Sequence, residues 1–564
     1  MILILDNAES ILDPHGMDAQ EIYAAVKELS QFSNVCLCIT SRISTIPPSC
    51  ETLNIPTLSM EAAHNTFCSI YKNSGQPGPV NSILEQLDFH PLSITLLATV
   101  AHHSKWDTNR LTREWERQRT GILHTQHDES LAITIELSLA SPMFHELGPN
   151  ARGLLEVIAF FPQGINENNL DWLFPTLSSR DNILDIFQIL SLVYQSSGFV
   201  TMLAPLRDYL SPKNPAASPL LLRTKDCYFS RLSVTVSPGK PGFEEAQWIV
   251  SEDSNVEHLL DVFTSIDTNS LGVWAACSRF MQHLHWHKPR LVVLGPKIEG
   301  LPDDHPSKPE CLLHLSTLFH SLGNSMEEKR LLTHALELQH GQGNNLLVAQ
   351  TLRYIGDANR SLGHYNEGIE QTRKALEVYK QLNDIAGQAS SWKDLSRLLH
   401  RDGQLDAAEE AVLQAINLSD GGDQFPVCAS YRTLGNICHS RGEIEKAINH
   451  METAIQIASS YNWHDQLFWC YYALAWVFFS EGRFHDAHHH TECAKSHATD
   501  NQFLLGRIME LQANFWLGEC RYEAAKSEAL GAVIAYEKIG ATNDVEDCKA
   551  ILQKIQEAEL ATSH

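Results

Sequence analysis

One spacing constrains the fold of this chain more than any other feature: a glycine recurs about every 40 residues through its C-terminal half. The recurring glycines are Gly323, Gly363, Gly403, Gly442 and Gly482. Twelve residues after each stands an alanine, and these are Ala335, Ala375, Ala415, Ala454 and Ala494. Seven residues before each glycine stands a small residue that follows a bulky apolar one, as in Leu315-Ser316, Ile355-Gly356, Leu395-Ser396, Leu434-Gly435 and Leu474-Ala475. Glycine permits a sharp turn between two helices, and small residues let the helices approach closely. The spacing predicts stacked helix pairs, because one pair cannot bury its own apolar face.

This small–large pattern resembles the tetratricopeptide repeat over residues 307–560, in about six units. A sixth unit is displaced by short insertions and keeps Gly518, Tyr522, Ala525 and Ala532. The usual unit is about 34 residues, whereas these are longer and lack its final proline. HEAT repeats have a similar length but do not predict the small residues at these offsets. The resemblance implies an all-α solenoid whose concave surface binds a protein partner. The candidate cations for binding the carboxylates of an acidic partner are Lys374, Lys380 and Arg397. The simpler interpretation of all three is that they are solvated surface residues.

Residues 1–130 alternate β-like runs with helical patterns. Ile2–Leu5 and Val35–Thr40 are continuous apolar runs on either side of a helix expected over Met17–Ser30. Such runs are typical of parallel strands buried on both faces, and so of an α/β layer. The longer apolar run Leu92–Val100 is predicted to be a buried helix.

Four residues of this part are candidates for a nucleotide site. Asp6 ends the first strand in the form of a Walker B acid that holds Mg²⁺, with Glu9 just beyond, although many strands end in Asp to cap a loop. Arg42 follows the second strand, at the sheet edge where ligands of open α/β sheets bind. It could contact a phosphate or form a surface ion pair. Pro91 could pack on an adenine or simply begin a helix.

Residues 131–250 combine helical patterns with a short β-like pair at Gly198–Leu203, an order that suggests a winged-helix-like domain. Residues 251–306 are predicted to form a helical connector leading to the repeats. The predicted fold class is therefore multidomain, α/β followed by all-α.

The ordered motifs LILDNAE, CITSR, HPLSI, FPQGI and MLAPLRDYL resemble the STAND class of P-loop NTPases. Within it, the chain is most similar to the NB-ARC-like and novel STAND proteins of filamentous fungi that carry C-terminal repeats. The resemblance implies a partial NTPase domain, a winged helix and a repeat array that form a switch: ADP holds it closed, a ligand on the repeats opens it, and exchange for Mg·ATP leads to oligomerisation. It assigns Asp6 as the Walker B acid, Arg42 as the sensor arginine and Pro91 as the proline near the base.

The chain departs from that family in several places. Asn7 stands where a second acid is common, and no histidine lies near Met202–Ala204, where many relatives contact ADP. No G-x-x-x-x-G-K-[ST] motif, the Walker A phosphate loop, occurs in the sequence, and no effector domain is recognisable. The abrupt start on a strand favours a truncated sequence, and an in-frame upstream motif about 60–90 residues before Asp6 would favour the switch. Whether the family's ATPase or GTPase activity applies, and with which nucleotide, is left open.

Losing several charge-assisted phosphate bonds, each worth roughly 1.5–3 kcal/mol, weakens binding by orders of magnitude. We therefore expect this polypeptide to hold no nucleotide cofactor tightly and not to hydrolyse ATP. Two functions follow from the sequence: a STAND-type signalling regulator, or a nucleotide-independent repeat adaptor.

Charge and composition exclude other classes. A net charge of −26 argues against nucleic acid as a partner, which needs a basic surface. No apolar run reaches the roughly 20 residues needed to span a bilayer. The 13 scattered cysteines and the absence of a signal peptide predict a reduced, cytoplasmic protein.

Two groups of histidines are candidate metal ligands. Exposed, solvated positions on helices are the simpler interpretation of both groups. The groups are His283, His285 and His287, and His485, His488, His489 and His490 with Asp486 and Cys493 nearby.

Overall fold

The structure is a computed structural model. It describes residues 2–5, 26, 28–29, 36–39, 58–72, 77–87, 89–121, 129–175, 177, 179–234, 246, 248–339, 345–419, 424–498, 501–539 and 541–562. The chain divides into two compact units. Unit 1 comprises residues 1–146 with 189–191, and unit 2 comprises residues 147–188 and 192–564. The four-part division predicted from the sequence, with boundaries at residues 130, 250 and 306, stays a prediction.

Unit 1 begins with two parallel strands, as the sequence predicted. Strand β1 (Ile2–Leu5) pairs with β2 (Cys36–Ile39), with Ile2 opposite Cys36 and Leu5 opposite Ile39. Of the helix predicted over residues 17–30, the structure describes residues 26, 28 and 29, and these are helical. Two strands alone do not define a layered P-loop domain, so that assignment stays a proposal.

The helices of unit 1 pack around one strongly apolar segment. They are α1 (Met60–Ile70), α2 (Pro77–Gln86), α3 (Pro91–His103), α4 (Thr108–Gly121), α5 (Glu129–Leu139) and α6 (Pro142–His145). Helix α3 packs against α1 and α5 and is buried along most of its length. This confirms the buried helix predicted over Leu92–Val100. A helix apolar on nearly all sides must be covered on several sides, which is why it lies at the centre of these helices.

Unit 2 opens with short helices and a three-stranded antiparallel sheet of order β3-β5-β4. The strands are β3 (Ile165–Asn166), β4 (Tyr194–Ser196) and β5 (Phe199–Thr201). The helices are α7 (Asn150–Phe160), α8 (Leu170–Leu173), α9 (Arg180–Ile189), α10 (Ala204–Leu210), α11 (Pro219–Leu232), α12 (Trp248–Ile266), α13 (Leu271–His287) and α14 (Gly295–Glu299). Single 3₁₀ turns span Glu167–Asn169 and Pro215–Ala217. The predicted β pair is present as a hairpin, while the winged-helix assignment stays a prediction.

A buried carboxyl joins several of these elements. Glu252, on α12, is fully buried and accepts hydrogen bonds from Asn169 Nδ2 at 2.6 Å, Tyr228 Oη at 2.8 Å and Asn255 Nδ2 at 2.9 Å. Asn255 Nδ2 also donates to the main-chain oxygen of Gly164 at 2.9 Å. Burial raises the pKa of Glu252, and the donors around it act in the opposite direction. Because each buried polar atom is satisfied by another in the group, we call these residues the Glu252 network.

Twelve helices then form six antiparallel pairs, which we number repeats 1 to 6, and a final helix follows them. The first helices of the pairs are α15 (Lys308–Ser321), α17 (Asn345–Ser361), α19 (Ile385–Arg401), α21 (Gln424–Ser440), α23 (His464–Ser480) and α25 (Gln502–Gly518). The second helices are α16 (Ser325–Gln339), α18 (Tyr365–Gln381), α20 (Leu405–Ser419), α22 (Ile444–Ser460), α24 (Phe484–Ala498) and α26 (Tyr522–Glu537). The last helix is α27 (Thr542–Thr562). Each helix packs on the next, which confirms the predicted solenoid.

The small residues of the repeat pattern lie where two helices of a pair cross. The alanines twelve residues after each turn glycine are all fully buried. A Cβ added at Gly356 would collide with Thr372 Oγ1 in the second helix of repeat 2, and one at Gly435 would lie 2.7 Å from Met451 Cγ in repeat 4. These positions are small because larger side chains would push the helices apart.

The five recurring glycines have positive φ angles, between 70° and 82°, at the turn between the helices of each pair. This left-handed conformation is costly for residues with a Cβ. In repeat 6 the same position holds Cys520, with φ of 61°, whereas Gly518 is the last residue of α25. The sixth unit therefore keeps Gly518 close to the turn but not at the turn position itself. The smallness of Gly518 serves packing instead, because a Cβ there would lie 2.5 Å from the ring of Phe479.

Repeats far apart in sequence also meet. The turn of repeat 1 touches repeat 6, where a Cβ added at Gly323 would collide with the ring of Phe503. Trp286, on α13, packs edge to face on Phe425 of repeat 4, with ring centroids 5.6 Å apart. The stacked pairs therefore wind back on themselves, and the first helices of repeats 1 to 5 face a shared interior.

Candidate functional site

Three of the four residues predicted for a nucleotide site, Asp6, Glu9 and Arg42, lie outside the residues the structure describes. Pro91 is described, and it is the exposed first residue of α3. His90 caps that helix, with Nδ1 accepting from Ser93 N at 3.4 Å. This confirms the helix-start role of Pro91, since proline suits the first helical position. Its packing on a base stays a prediction.

The repeats supply a second candidate site, built on two buried carboxylates. Asp394 lies 2.7 Å from Arg353 Nη1 and 3.1 Å from Lys393 Nζ. Asp357 accepts from Arg360 Nε at 2.7 Å. Arg397 lies between the two acids, 3.4 Å from Asp357 and 3.6 Å from Asp394. Four cationic side chains thus share two carboxylates.

The surrounding repeats extend this group. In repeat 1, His320 Nδ1 lies 3.1 Å from Glu328 and Nε2 lies 3.7 Å from Asp357. In repeat 4, Arg432 lies over the ring of Trp469, 6.0 Å from its centroid. The ten residues that make up this inner cluster are His320, Glu328, Arg353, Asp357, Arg360, Lys393, Asp394, Arg397, Arg432 and Asp465.

The pKa values show which of these groups carry charge. Glu328 raises the pKa of His320 to about 9, against the effect of burial, so the imidazole is protonated at neutral pH. Burial lowers the pKa of Lys393, and burial together with the Arg360 charge lowers that of Arg397 to about 10. Burial raises the pKa of Asp465, although the charges of Arg432, His320 and Arg397 oppose it. Burial is thus the first cause of the two lowered pKa values, whereas Asp394 and Asp357 help to raise the pKa values of Arg353 and Arg360.

The charge balance of the inner cluster is opposite to that of the whole chain. Six cationic groups face four carboxyls, within a chain whose net charge is −26. Among the described residues, Nε of Arg353 and Nε of Arg432 are buried without a hydrogen-bond partner, and so is Nε of Arg507 in repeat 6. Arg507, however, is matched by Glu510 at 3.0 Å and Asp544 at 2.7 Å, so two carboxylates face one cation there. The excess of cations over carboxyls is therefore what favours an anion at the inner cluster and not at repeat 6.

Of the three clamp residues predicted from the sequence, the structure places one in this cluster. Arg397 lies on the first helix of repeat 3, whereas Lys374 and Lys380 lie on the second helix of repeat 2. Those two lysines pair with Glu370 at 2.6 Å and Glu377 at 3.2 Å on their own helix. They are the exposed residues that their default interpretation predicted.

Sequence reasoning missed Arg353, Lys393 and Arg432, although a signal for them exists. Each stands ten residues before the turn glycine of its repeat, in three successive repeats. Positions that share a repeat register share a face of the solenoid. A cation repeated at one register could therefore have predicted a basic strip along the first helices.

The histidine group on α13 is packed inside the protein, so the prediction that it is solvated is wrong. His283 is buried, and His285 Nδ1 donates to the main-chain oxygen of Thr317, 3.1 Å away. Burial lowers the pKa of His285 to about 3 and that of His287 to about 4, so both are neutral at pH 7. His285 therefore joins α13 to repeat 1, while His283 Nε2 lies 3.4 Å from the main-chain oxygen of Leu232, the last residue of α11.

The histidine group on α24 separates into different environments. His485 is 97 % exposed, as predicted for solvated residues. His488 Nε2 lies 2.7 Å from Glu519, and its ring lies against Trp516 of repeat 6. His489, His490 and Cys493 have ligand atoms within 4.8 Å of one another. Within the α24 group, only these three side chains lie close enough together to bind one metal ion.

Comparisons with known proteins agree with this architecture. A sequence profile described as tetratricopeptide repeat matches residues 426–499, within repeats 4 and 5. Together with the stacked helix pairs, this match shows that the C-terminal region is a tetratricopeptide-repeat array.

Two further searches gave negative results. No curated protein matches the chain in sequence. None of the helices that the structure describes is long and apolar enough to cross a membrane.

Among solved structures, the chain is similar to a signal transduction ATPase with numerous domains (STAND) with a tetratricopeptide-repeat sensor from Pyrococcus horikoshii. The identity is 14 %, the match covers 99 % of this chain and 80 % of that one, and the TM-score is 0.54. A Rap protein complexed with competence and sporulation factor matches at 10 % identity over 60 % of this chain and 99 % of that one, with a TM-score of 0.40. A tetratricopeptide repeat protein from Parabacteroides merdae matches at 13 % identity over 58 % and 99 %, with a TM-score of 0.34. At 14 % identity the first likeness concerns the fold alone.

Proposed function

We propose that this chain is a regulatory protein whose repeat array binds an acidic segment of a partner protein along the inner cluster. The observation that carries the proposal is that four cations share Asp357 and Asp394, while Arg432 adds a further cation. An acidic side chain near Arg397 or Arg432 would add negative charge to a cluster in which six cationic groups face four carboxyls. Charge-assisted bonds between such an acid and an arginine are worth roughly 1.5–3 kcal/mol each.

A protein segment fits this surface better than a small anion does. The cations are spread over the first helices of repeats 2, 3 and 4, so one small ion cannot reach them all. Trp469 beside Arg432 offers an apolar contact between charged positions. Inner surfaces of solenoids accommodate extended peptides or helices in this way. The partner is therefore expected to carry acids interspersed with apolar residues.

The N-terminal residues are proposed to be the remnant of a STAND-type NTPase that acts as the switch module. The proposal is supported by the parallel strands β1 and β2 and by the fold likeness to a STAND ATPase with a repeat sensor. In that role Asp6, Glu9, Arg42 and Pro91 would serve a bound nucleotide with Mg²⁺, and binding at the repeats would be coupled to oligomerisation. The alternative is a nucleotide-independent adaptor, in which the repeats alone carry the function.

Peptide binding tests the first part of the proposal. A fluorescein-labelled peptide of alternating glutamate and leucine should bind the full chain, and its affinity should fall as salt is added, because salt screens exposed charges. Arg432→Gln and Arg397→Gln should each weaken binding about tenfold or more, the value of one lost charge-assisted bond. Fluorescence polarisation measures both effects.

Lys374→Gln provides the matched control, because Lys374 is exposed on the opposite helix of its pair and bonds to its own neighbour Glu370. It should leave affinity unchanged. The proposal is contradicted if a lysine–leucine peptide of the same length binds as well, or if the Arg432 variant binds the acidic peptide as the parent chain does.

Nucleotide binding tests the second part. We expect isothermal titration of Mg·ATP into this polypeptide to show no binding in the micromolar range, because the sequence lacks a G-x-x-x-x-G-K-[ST] phosphate loop. Micromolar binding would contradict this expectation. If Mg·ATP and Mg·ADP also leave the affinity for the acidic peptide unchanged, the adaptor is favoured over the switch for this molecule.

A further inference from the structure

Helix α24 carries three metal-ligating side chains whose positions converge at one place. Cys493 is four residues after His489 and three residues after His490. Because residues three and four apart on a helix are neighbours, both histidine side chains lie next to that of Cys493. Cys493 Sγ is 3.8 Å from His489 Nε2, and all three ligand atoms lie within 4.8 Å of one another. Around a tetrahedral zinc ion, with metal–ligand bonds of about 2.0–2.3 Å, ligand atoms lie roughly 3.3–3.6 Å apart. Small side-chain rotations are enough to close this difference.

The surroundings hold one of these ligands in place. The His490 ring is stacked between Phe478, at 5.0 Å and an interplanar angle of 7°, and Tyr471, at 5.9 Å and 19°. Within the described part of the chain, His490 Nδ1 is buried and unpartnered. A ring that its neighbours already fix in place loses little freedom when a metal binds.

We propose that His489, His490 and Cys493 form a Zn²⁺ site on the surface of repeat 5, with its fourth position open to water or to a side chain of another molecule. Two imidazoles and one thiolate are a ligand set that zinc favours. On binding, the Cys493 thiol releases its proton to solvent, and the thiolate forms the Zn–S bond. The site lies on a second helix of the array and is separate from the inner cluster.

Cobalt substitution tests the site directly, because Co²⁺ occupies zinc sites and reports a thiolate ligand through a sulfur-to-metal charge-transfer band. The reduced full chain, titrated with Co²⁺, should show this band together with the visible bands of tetrahedral cobalt, and one equivalent of Zn²⁺ should displace them. Cys493→Ser should abolish the charge-transfer band. His490→Gln should weaken Zn²⁺ binding at least tenfold, measured by competition with a chromogenic chelator.

Two matched variants separate the site from other cysteines and histidines. His485→Gln lies on the same helix and is 97 % exposed, so it should leave the cobalt spectrum unchanged. Cys520→Ser removes an exposed thiol elsewhere and should likewise have no effect. The proposal is overturned if Cys493→Ser keeps the charge-transfer band, or if His490→Gln and His485→Gln bind Zn²⁺ equally. Circular dichroism of each variant confirms that the helices remain folded.

Discussion

Replacing Asp394 with alanine should lower the free energy of unfolding of the repeat array by about 3–5 kcal/mol. Asp394 is only 3 % exposed, and its carboxylate is shared by Arg353, Lys393 and Arg397. Removing it leaves three cations close together and poorly hydrated, which costs more than the loss of an ordinary surface pair. Urea denaturation followed by far-ultraviolet circular dichroism measures the change.

Asp406→Ala is the matched control. Asp406 also pairs with an arginine, Arg441, at 2.6 Å, but its side chain is 102 % exposed. Water solvates both charges when that pair is broken, so we expect no measurable change. If Asp394→Ala and Asp406→Ala unfold at the same urea concentration, the inner cluster does not stabilise the array. Asp394→Asn should fall between the two, because it keeps the shape and one acceptor but loses the charge.

Replacing Glu252 with alanine should destabilise the first part of unit 2 by about 3 kcal/mol or more. The change removes the acceptor of three buried donors, Asn169 Nδ2, Tyr228 Oη and Asn255 Nδ2. A buried polar group left unsatisfied costs roughly 1–3 kcal/mol. The loss of Tyr228 packing order should also appear in the near-ultraviolet circular dichroism spectrum.

Glu156→Ala offers a control from the same part of the chain. Glu156 forms a helix-surface pair with Arg152 at 3.5 Å, a contact typically worth less than about 0.5 kcal/mol. A Glu252→Ala variant no less stable than Glu156→Ala would show that the network contributes little. Glu252→Gln should destabilise the protein less than Glu252→Ala does, because the amide oxygen of glutamine still accepts a hydrogen bond. It should nevertheless be less stable than the parent chain, because the amide N–H groups of glutamine would face the existing donors.

The repeat architecture could be predicted from the sequence because its causes are local. A turn requires a glycine at positive φ, and a helix crossing requires a small residue such as alanine, so both recur in the sequence at a fixed spacing. In the structure, the five glycines have positive φ and the five alanines are buried, as the pattern predicted. The exception, Cys520, shows the limit of that reasoning. Its φ of 61° follows from the path of the chain between α25 and α26, and a cysteine there gives no sequence signal.

The inner cluster could not be predicted in full because it depends on how repeats are wound. Arg353 meets Asp394 across a repeat boundary, 41 residues along the chain. Burial raises the pKa of Asp465, and the charge of His320 acts against that rise although three repeats lie between the two residues. Such pairings follow from the angle between successive helix pairs, which many small packing contacts determine together. For the nucleotide residues, the sequence supplies Asp6, Glu9 and Arg42, and these stay predictions.

The contact of Gly323 with Phe503 joins the first repeat of the array to the last. A Cβ at position 323 would collide with the Phe503 ring, so the two repeats meet only because no side chain stands there. A bulkier residue at position 323 would therefore loosen the junction between the two ends of the array.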